Sequence, residues 1–207
     1  MSSGTNPSPA RKTIGVFASH VGRAWGAEFL AGVTAAAVEN NVNLVHFIGG
    51  KIAPLASNDP NKASFGLYDL AKPDQFDGLI LAGDVAYGAG EDDLKIFRQT
   101  FETMPIVTQS IKLDGASMFV PNNVEGMRAV VRHLIEEHGY KRIAFLRGIP
   151  GQFDAEQRFQ AYKDELKAHD LRLDENLVVD GDFTPESGRD AIHTLLDERR
   201  LRFQAVV

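Results

Sequence analysis

The chain has 207 residues, 22 basic and 28 acidic, for a formal net charge of −6. That length allows one large domain or two small ones, and the 43% hydrophobic content excludes a disordered or fibrous chain. The acidic balance argues against a nucleic-acid contact face, and the absence of cysteine removes disulfides, Cys-based zinc sites and thiol chemistry.

Residues 1–12 read as a polar, Pro/Ser-containing disordered leader without the apolar stretch of a signal peptide. No segment has the ~20 apolar residues of a membrane span. A cytoplasmic location without membrane contact is therefore expected. Thr13–Ser19 is a short apolar, β-branched run and predicts a buried strand. Gly26–Asn40 carries Phe29, Leu30, Val33, Ala37 and Val38 at helical spacing, and Asn43–Ile48 is the next strand. Prolines break up 51–76, where a short helix is expected around Phe65 to Leu70. Gly78–Leu81 predicts a strand, Gly83–Gly90 a Gly-rich loop, Asp92–Thr103 a helix, and Pro105–Thr108 a fourth strand.

Met118–Val120 follows as a strand with no helix before it. Asn123 is favoured as the cap of a helix whose stripe is Val124, Met127, Val131 and Leu134, stopped at Gly139. Arg142–Arg147 is a strand. Asp154 and Gln157 have capping-box spacing and open a helix with Phe159, Tyr162 and Leu166. Leu177–Val179 is a strand, Thr184-Pro185 starts a last helix, and the final strand begins near Phe203. Strands alternating with helices predict α/β architecture with mostly parallel sheet. The missing helix across 109–121 divides the chain into a lobe at 13–117 and a lobe at 118–207, the second incomplete where the chain stops inside a strand.

Ligands of open α/β sheets sit beyond the carboxyl ends of the strands, so the loops there supply the candidates. A sugar presents apolar C–H faces and hydroxyl rims, which an aromatic plate and polar forks would match. Trp25 is either that plate or a lining aromatic. His20 and Arg23 share its loop, as ligand contacts or solvated residues. Asp84 is a hydroxyl acceptor or a turn residue bonding its own backbone. Tyr87 stands beside it, and Gln109 is a weaker candidate. One of Asn122 and Asn123 caps the helix, which leaves Asn122 for a ligand. Arg158, in the first turn of its helix, offers a planar fork for vicinal hydroxyls or a carboxylate, and is the strongest candidate.

Other chemistries fit poorly. The Gly83–Gly90 loop has neither the Lys-Ser/Thr of a P-loop nor dinucleotide-binding glycine spacing. His133 and His138 are five apart, about 140° around a helix, so they are not expected to share an ion. No G-x-S-x-G elbow is present. No enzymatic activity, metal or cofactor is expected.

Three motifs carry a family resemblance. Phe119 to Gly126, followed by His133 to Phe145, resembles the "V-x-x-D-N-x-x-G … H-L-I-x-x-G-H-x-x-I-A" pattern of LacI/GalR-type regulators and type 1 periplasmic sugar-binding proteins. Arg158 to Tyr162 resembles their "R-x-x-G-[FWY]" helix, and Gly15 to Gly32 their first βα unit, with Trp25 seven residues before Gly32. The departures are Asn122 for Asp, Ala161 for Gly and the additional Glu137. The resemblance implies a type 1 periplasmic-binding-protein-like fold of two Rossmann-like lobes, and a sugar or other small polar ligand held between them with hinge closure. It further implies a homodimer. The leader holds only Arg11 and Lys12 as basic residues, so no DNA-reading headpiece and no direct nucleic-acid contact are expected, and a fused output domain would lie downstream. The rival expectations are the effector core of a transcription regulator and a dimerisation module without ligand.

Overall fold

The computed structural model describes residues 11–22, 24–52, 67–87 and 89–207. The leader at 1–10, Arg23, Phe65 and most of the 51–76 segment lie outside the described residues. The fold is α/β with parallel sheets, in two compact units divided after Phe119.

The first unit is a five-stranded parallel sheet in the order β2-β1-β3-β4-β5. Its strands are β1 (Thr13–Ala18), β2 (Asn43–Ile48), β3 (Gly78–Leu81), β4 (Ile106–Gln109) and β5 (Ser117–Phe119). β5 opens the second lobe in the sequence reading; here it pairs in parallel with β4, Gln109 opposite Phe119. Parallel neighbours usually need a crossover of a dozen or more residues. The connection 110–116 is shorter, and it is tied down from within. Ile111 and Leu113 are buried, the Thr108 hydroxyl donates to the Ile111 carbonyl, and Arg98 donates to the Asp114 and Phe101 carbonyls.

Helix α1 (Ala24–Glu39) covers one face of the sheet, seating Leu30 against Val16, Ala18 and Ala82. The other face carries Phe17 at the centre of an aromatic cluster. Its ring stacks on Tyr68 at 4.7 Å and meets Phe47, Phe97 and Phe101 at 5.1, 5.8 and 6.0 Å. Phe97 and Phe101 come from α2 (Glu91–Thr100) and its C-cap, three residues short of the predicted end at Thr103. Where a helix over 65–70 is expected, the described part is a single 3-10 turn, Tyr68–Leu70. It is enough to bury Tyr68, whose hydroxyl donates to the Ala18 and Gly50 carbonyls. Burial, with the nearby Asp84 charge, pushes that phenol well above its ordinary range.

The second unit has a three-stranded parallel sheet, β7-β6-β8, from β6 (Ile143–Arg147), β7 (Val178–Asp180) and β8 (Ala205–Val206). Helices α3 (Asn123–Glu136) and α4 (Phe153–Ala168) pack together over Val131, Ile143, Phe145, Phe159, Tyr162 and Leu166. The Tyr162 hydroxyl donates to the Ile143 carbonyl, and burial pushes its pKa up to about 12. Helix α5 (Pro185–His193) begins at the predicted Thr184 cap and widens into a π-turn, Thr194–Glu198, which buries Leu195.

Buried Glu165 links α3 to α4. It accepts two hydrogen bonds from Arg132, at 2.8 and 3.2 Å. His169 adds a second tie: Nδ1 sits 2.9 Å from the Glu165 carbonyl and Nε2 3.0 Å from Glu136. The Glu165 carbonyl first, then Glu136, raise the His169 pKa. A raised histidine pKa stabilises the fold below the unfolded value, about 6.5, and the contribution disappears as pH rises through the folded value. The gap in denaturant midpoint between wild type and His169→Gln is therefore expected to be wider at pH 6 than at pH 8. An equal gap would show that the imidazolium contributes nothing.

Candidate functional site

In the first unit the strand order changes direction between β1 and β3, and such a switch point opens a crevice at the carboxyl end of the sheet. Ser19 and His20 leave β1 there, and Asp84 leaves β3 in the 3-10 turn Gly83–Ala86. The Asp84 carboxylate is buried and accepts from the Ser19 amide at 3.3 Å and the Ser19 hydroxyl at 2.5 Å. Exposed His20 places Nδ1 2.5 Å from the Ser19 hydroxyl oxygen and 3.5 Å from Asp84. The Asp84 carboxylate thus anchors the end of β1.

These three residue types also make up hydrolytic triads, but the arrangement differs. In a triad the imidazole bridges serine and carboxylate through its two different nitrogens. Here Ser19 donates directly to Asp84, and one histidine nitrogen faces both.

Gln109 is buried and engaged at both ends of its amide: Oε1 accepts from the Gly83 amide at 2.9 Å and Nε2 donates to the Ser110 hydroxyl at 2.6 Å. It pins the loop after β3 to β4. A Cβ on Gly83 would stand 2.3 Å from that Oε1 and 2.9 Å from the Gln109 carbonyl. Gly83→Ala is therefore expected to cost about 1–3 kcal/mol by overpacking, read as a lower denaturant midpoint; an unchanged midpoint would show that Gln109 yields freely. Tyr87 caps the 3-10 turn, its amide donating to the Asp84 carbonyl, and its side chain is half-buried.

Trp25 belongs to no core cluster; it is 44% exposed. Its ring stacks on Phe29 at 5.4 Å, and Phe29 stacks on Phe119 at 6.4 Å, at the carboxyl end of β5. The ladder holds the indole at a fixed tilt, and its exposure leaves it able to stack on a ligand ring.

In the second unit the asparagine roles are reversed from expectation. Asn122 caps α3, accepting from the Glu125 amide at 3.3 Å. Asn123 is buried in a side-chain network: Nδ2 donates to Asp154 at 2.7 Å and Gln157 at 3.2 Å, and Oδ1 accepts from Arg158 Nε at 2.8 Å. The expected capping box is absent for the same reason. Asp154 and Gln157 turn toward Asn123, while Gln152 caps α4 by accepting from the Ala155 amide. Arg158 is held by Nε alone, and its two terminal nitrogens have no bond to a described residue. A guanidinium fixed at one nitrogen and open at two is a preorganised donor pair.

Two further residues, without a distinguishing sequence motif, stand at the carboxyl edge of this sheet. Arg147, the last residue of β6, lies 4.7 Å from the centroid of the Phe159 ring, bonds Glu156 at 2.5 Å, and comes within 3.7 Å of Asp180. Its Nε is buried without a hydrogen-bond partner among the described residues. The Gly151 amide, then Arg147, hold the Glu156 carboxyl below its usual range. Phe183 follows β7, is 41% exposed and has a φ of 64°, where a bulky residue is strained. Its ring covers Gly148; a Cβ there would lie 2.0 Å from a ring carbon. The available signal was an aromatic in an otherwise polar turn, Gly181-Asp182-Phe183-Thr184.

The structure thus places His20, Asp84, Tyr87, Gln109 and Trp25 at the carboxyl edge of the first sheet, and Asn122 and Arg158 near that of the second; Arg23 lies outside the described residues. No metal-binding group of three or more His, Asp or Glu occurs among the described residues. No helix among them is long and apolar enough to cross a membrane.

No family model matches the chain. It is 28% identical over 131 residues to the probable HTH-type transcriptional repressor ExuR of Bacillus subtilis, covering 62% of this chain and 38% of the relative. It is 26% identical over 191 residues to the HTH-type transcriptional repressor PurR of Klebsiella pneumoniae, covering 91% and 52%. The chain spans about half or less of the length of these relatives. Among solved structures, a transcriptional regulator of the LacI family from Burkhoderia phymatum matches with a TM-score of 0.76 at 20% identity, over 94% of this chain and 67% of that one. A complex of the transcriptional regulator CelR with cellobiose matches with a TM-score of 0.71 at 25% identity, over 96% and 59%.

Proposed function

We propose that this chain is the small-molecule sensing part of a signalling or transcriptional regulatory protein, and not an enzyme; its similarity to the HTH-type repressors ExuR and PurR, and the fold it shares with a LacI-family regulator, support this reading. The ligand class is a sugar or a comparable small polar molecule. The observation that carries this reading is Arg158, held at Nε by buried Asn123, with no bond from either terminal nitrogen to a described residue.

In the proposed complex those nitrogens donate to vicinal hydroxyls or a carboxylate. Trp25 and Phe183 supply apolar plates, and Asn122, His20, Arg23 and Tyr87 the polar rim. Asp84 and Gln109 act behind that rim by holding the ends of β1, β3 and β4. The CelR–cellobiose complex supports a sugar as the ligand. The hinge closure implied by the family resemblance is part of this proposal; a ligand shifts such an equilibrium only by its differential affinity for the two states. A cytoplasmic homodimer is part of this proposal. Helix α1 is apolar on nearly every side, and its Val38, 72% exposed, offers a surface a second copy would cover. The HTH-type relatives favour a second reading, the effector core of a DNA-binding regulator.

Thermal-shift measurements of the full protein against mono- and disaccharides, cellobiose and sugar acids test the proposal. At least one compound is expected to raise Tm in proportion to the logarithm of its concentration. A panel without any saturable shift would overturn the sensing role. Loss of operator-type DNA binding on adding that compound would select the second reading.

A further inference from the structure

His133 lies in the last turn of α3, and His138 follows the helix C-cap, Glu137. On an unbroken helix their side chains would diverge by about 140°. The chain leaves the helix between them, and Gly139 takes a left-handed φ of 67°. The Gly139 amide donates to the Ile135 carbonyl and the Tyr140 amide to the Leu134 carbonyl, which folds His138 back over the helix end. Tyr140 then stacks on the His138 ring at 5.3 Å. As a result, and against the sequence expectation, the two Nε2 atoms stand 3.2 Å apart, with ring centroids 4.9 Å apart and planes at 87°.

We propose that His133 and His138 form a surface binding site for a borderline divalent transition metal such as Zn²⁺ or Ni²⁺. Imidazole nitrogens sharing one ion at about 2.0–2.1 Å, at angles between square and tetrahedral, lie about 2.9–3.4 Å apart. Rings converging on such an ion have centroids about 5 Å apart, against about 5.5 Å for rings meeting head-on along one hydrogen bond. The observed pair matches the convergent case on both distances. Both rings are exposed, so ion entry needs no opening of the fold. On binding, the ring that carries its proton on Nε2 changes tautomer, giving that proton to solvent and taking one up at Nδ1, so that each neutral imidazole donates an Nε2 lone pair to the ion and water fills the remaining positions. Since no third His, Asp or Glu completes the set among the described residues, the site is an exchangeable one, distinct from a closed structural zinc centre.

Isothermal titration of NiCl₂ and ZnCl₂ into the tag-free chain in metal-free buffer tests the assignment. One ion per chain is expected, with affinity lowered at least tenfold in His133→Ala and in His138→Ala. The exposed-histidine control His193→Ala is expected to bind as wild type does. Circular dichroism of each variant keeps a folding defect distinguishable from ligand loss. The assignment is overturned if wild type gives no binding heat up to about 1 mM ion, weaker than about −4 kcal/mol, or if folded His133→Ala and His138→Ala bind undiminished.

Discussion

Arg158→Ala is expected to weaken effector binding by roughly 10- to 150-fold, the equivalent of losing charge-assisted hydrogen bonds of about 1.5–3 kcal/mol. The loss has two physical parts. The terminal nitrogens that would meet the ligand disappear, and Asn123 Oδ1 loses its donor. Arg158→Lys separates them: an ammonium restores charge but neither the planar fork nor its fixed direction, so it is expected to recover little of the affinity. Asn123→Ala removes the anchor and leaves the fork, and is expected to fall between wild type and Arg158→Ala. Titration calorimetry with whichever compound stabilises the wild type would decide. If Arg158→Ala binds as tightly as wild type while staying folded, Arg158 has no part in the site.

Phe17→Ala is expected to destabilise the first unit by about 3–5 kcal/mol, the range for removing a fully buried aromatic. Phe17 is fully buried in the central part of the sheet, and four other rings close on it. The cavity would be lined by Tyr68, Phe97 and Phe101, held respectively by hydroxyl bonds to the backbone and by a short helix, so collapse is limited. Trp25 is the only tryptophan, so its fluorescence reports the unfolding of this unit in denaturant. A midpoint within experimental error of wild type would show that the cluster repacks without loss.

Most of the fold was legible because parallel strands write themselves as short apolar runs between helical periods. β1, β2, β3, β6 and their helices follow that rule. β5 was legible as a strand but not as a member of the first sheet, since its partner choice rests on buried Ile111 and Leu113 and on Arg98. Spacing alone does not encode those contacts. The site was legible as a set of loops and much less as roles. Asn122 and Asn123 are chemically identical neighbours, and only the direction of each side chain separates the cap from the network. The 140° separation of His133 and His138 holds only on an unbroken helix, and the chain leaves α3 between them. Arg147 ends a strand and Phe183 sits in a turn, positions where neither charge nor aromaticity is unusual.

The way the second sheet closes has a consequence for synthesis. β6 runs parallel to β8, Ile143 opposite Ala205, and the Val207 carbonyl accepts from the Leu146 amide. Gln204 further accepts from the Lys141 and Arg142 amides. The described strands of the first sheet end at residues 117–119, so all of them are synthesised before β6. The second sheet has to wait for residues about sixty positions downstream of its central strand, a late and entropically costly loop closure. Through that interval the apolar edge of β6 is unpaired while the first unit is already able to fold. Pulse-labelled chains arrested near residue 160 are thus expected to carry a protease-resistant amino-terminal half and a sensitive nascent remainder.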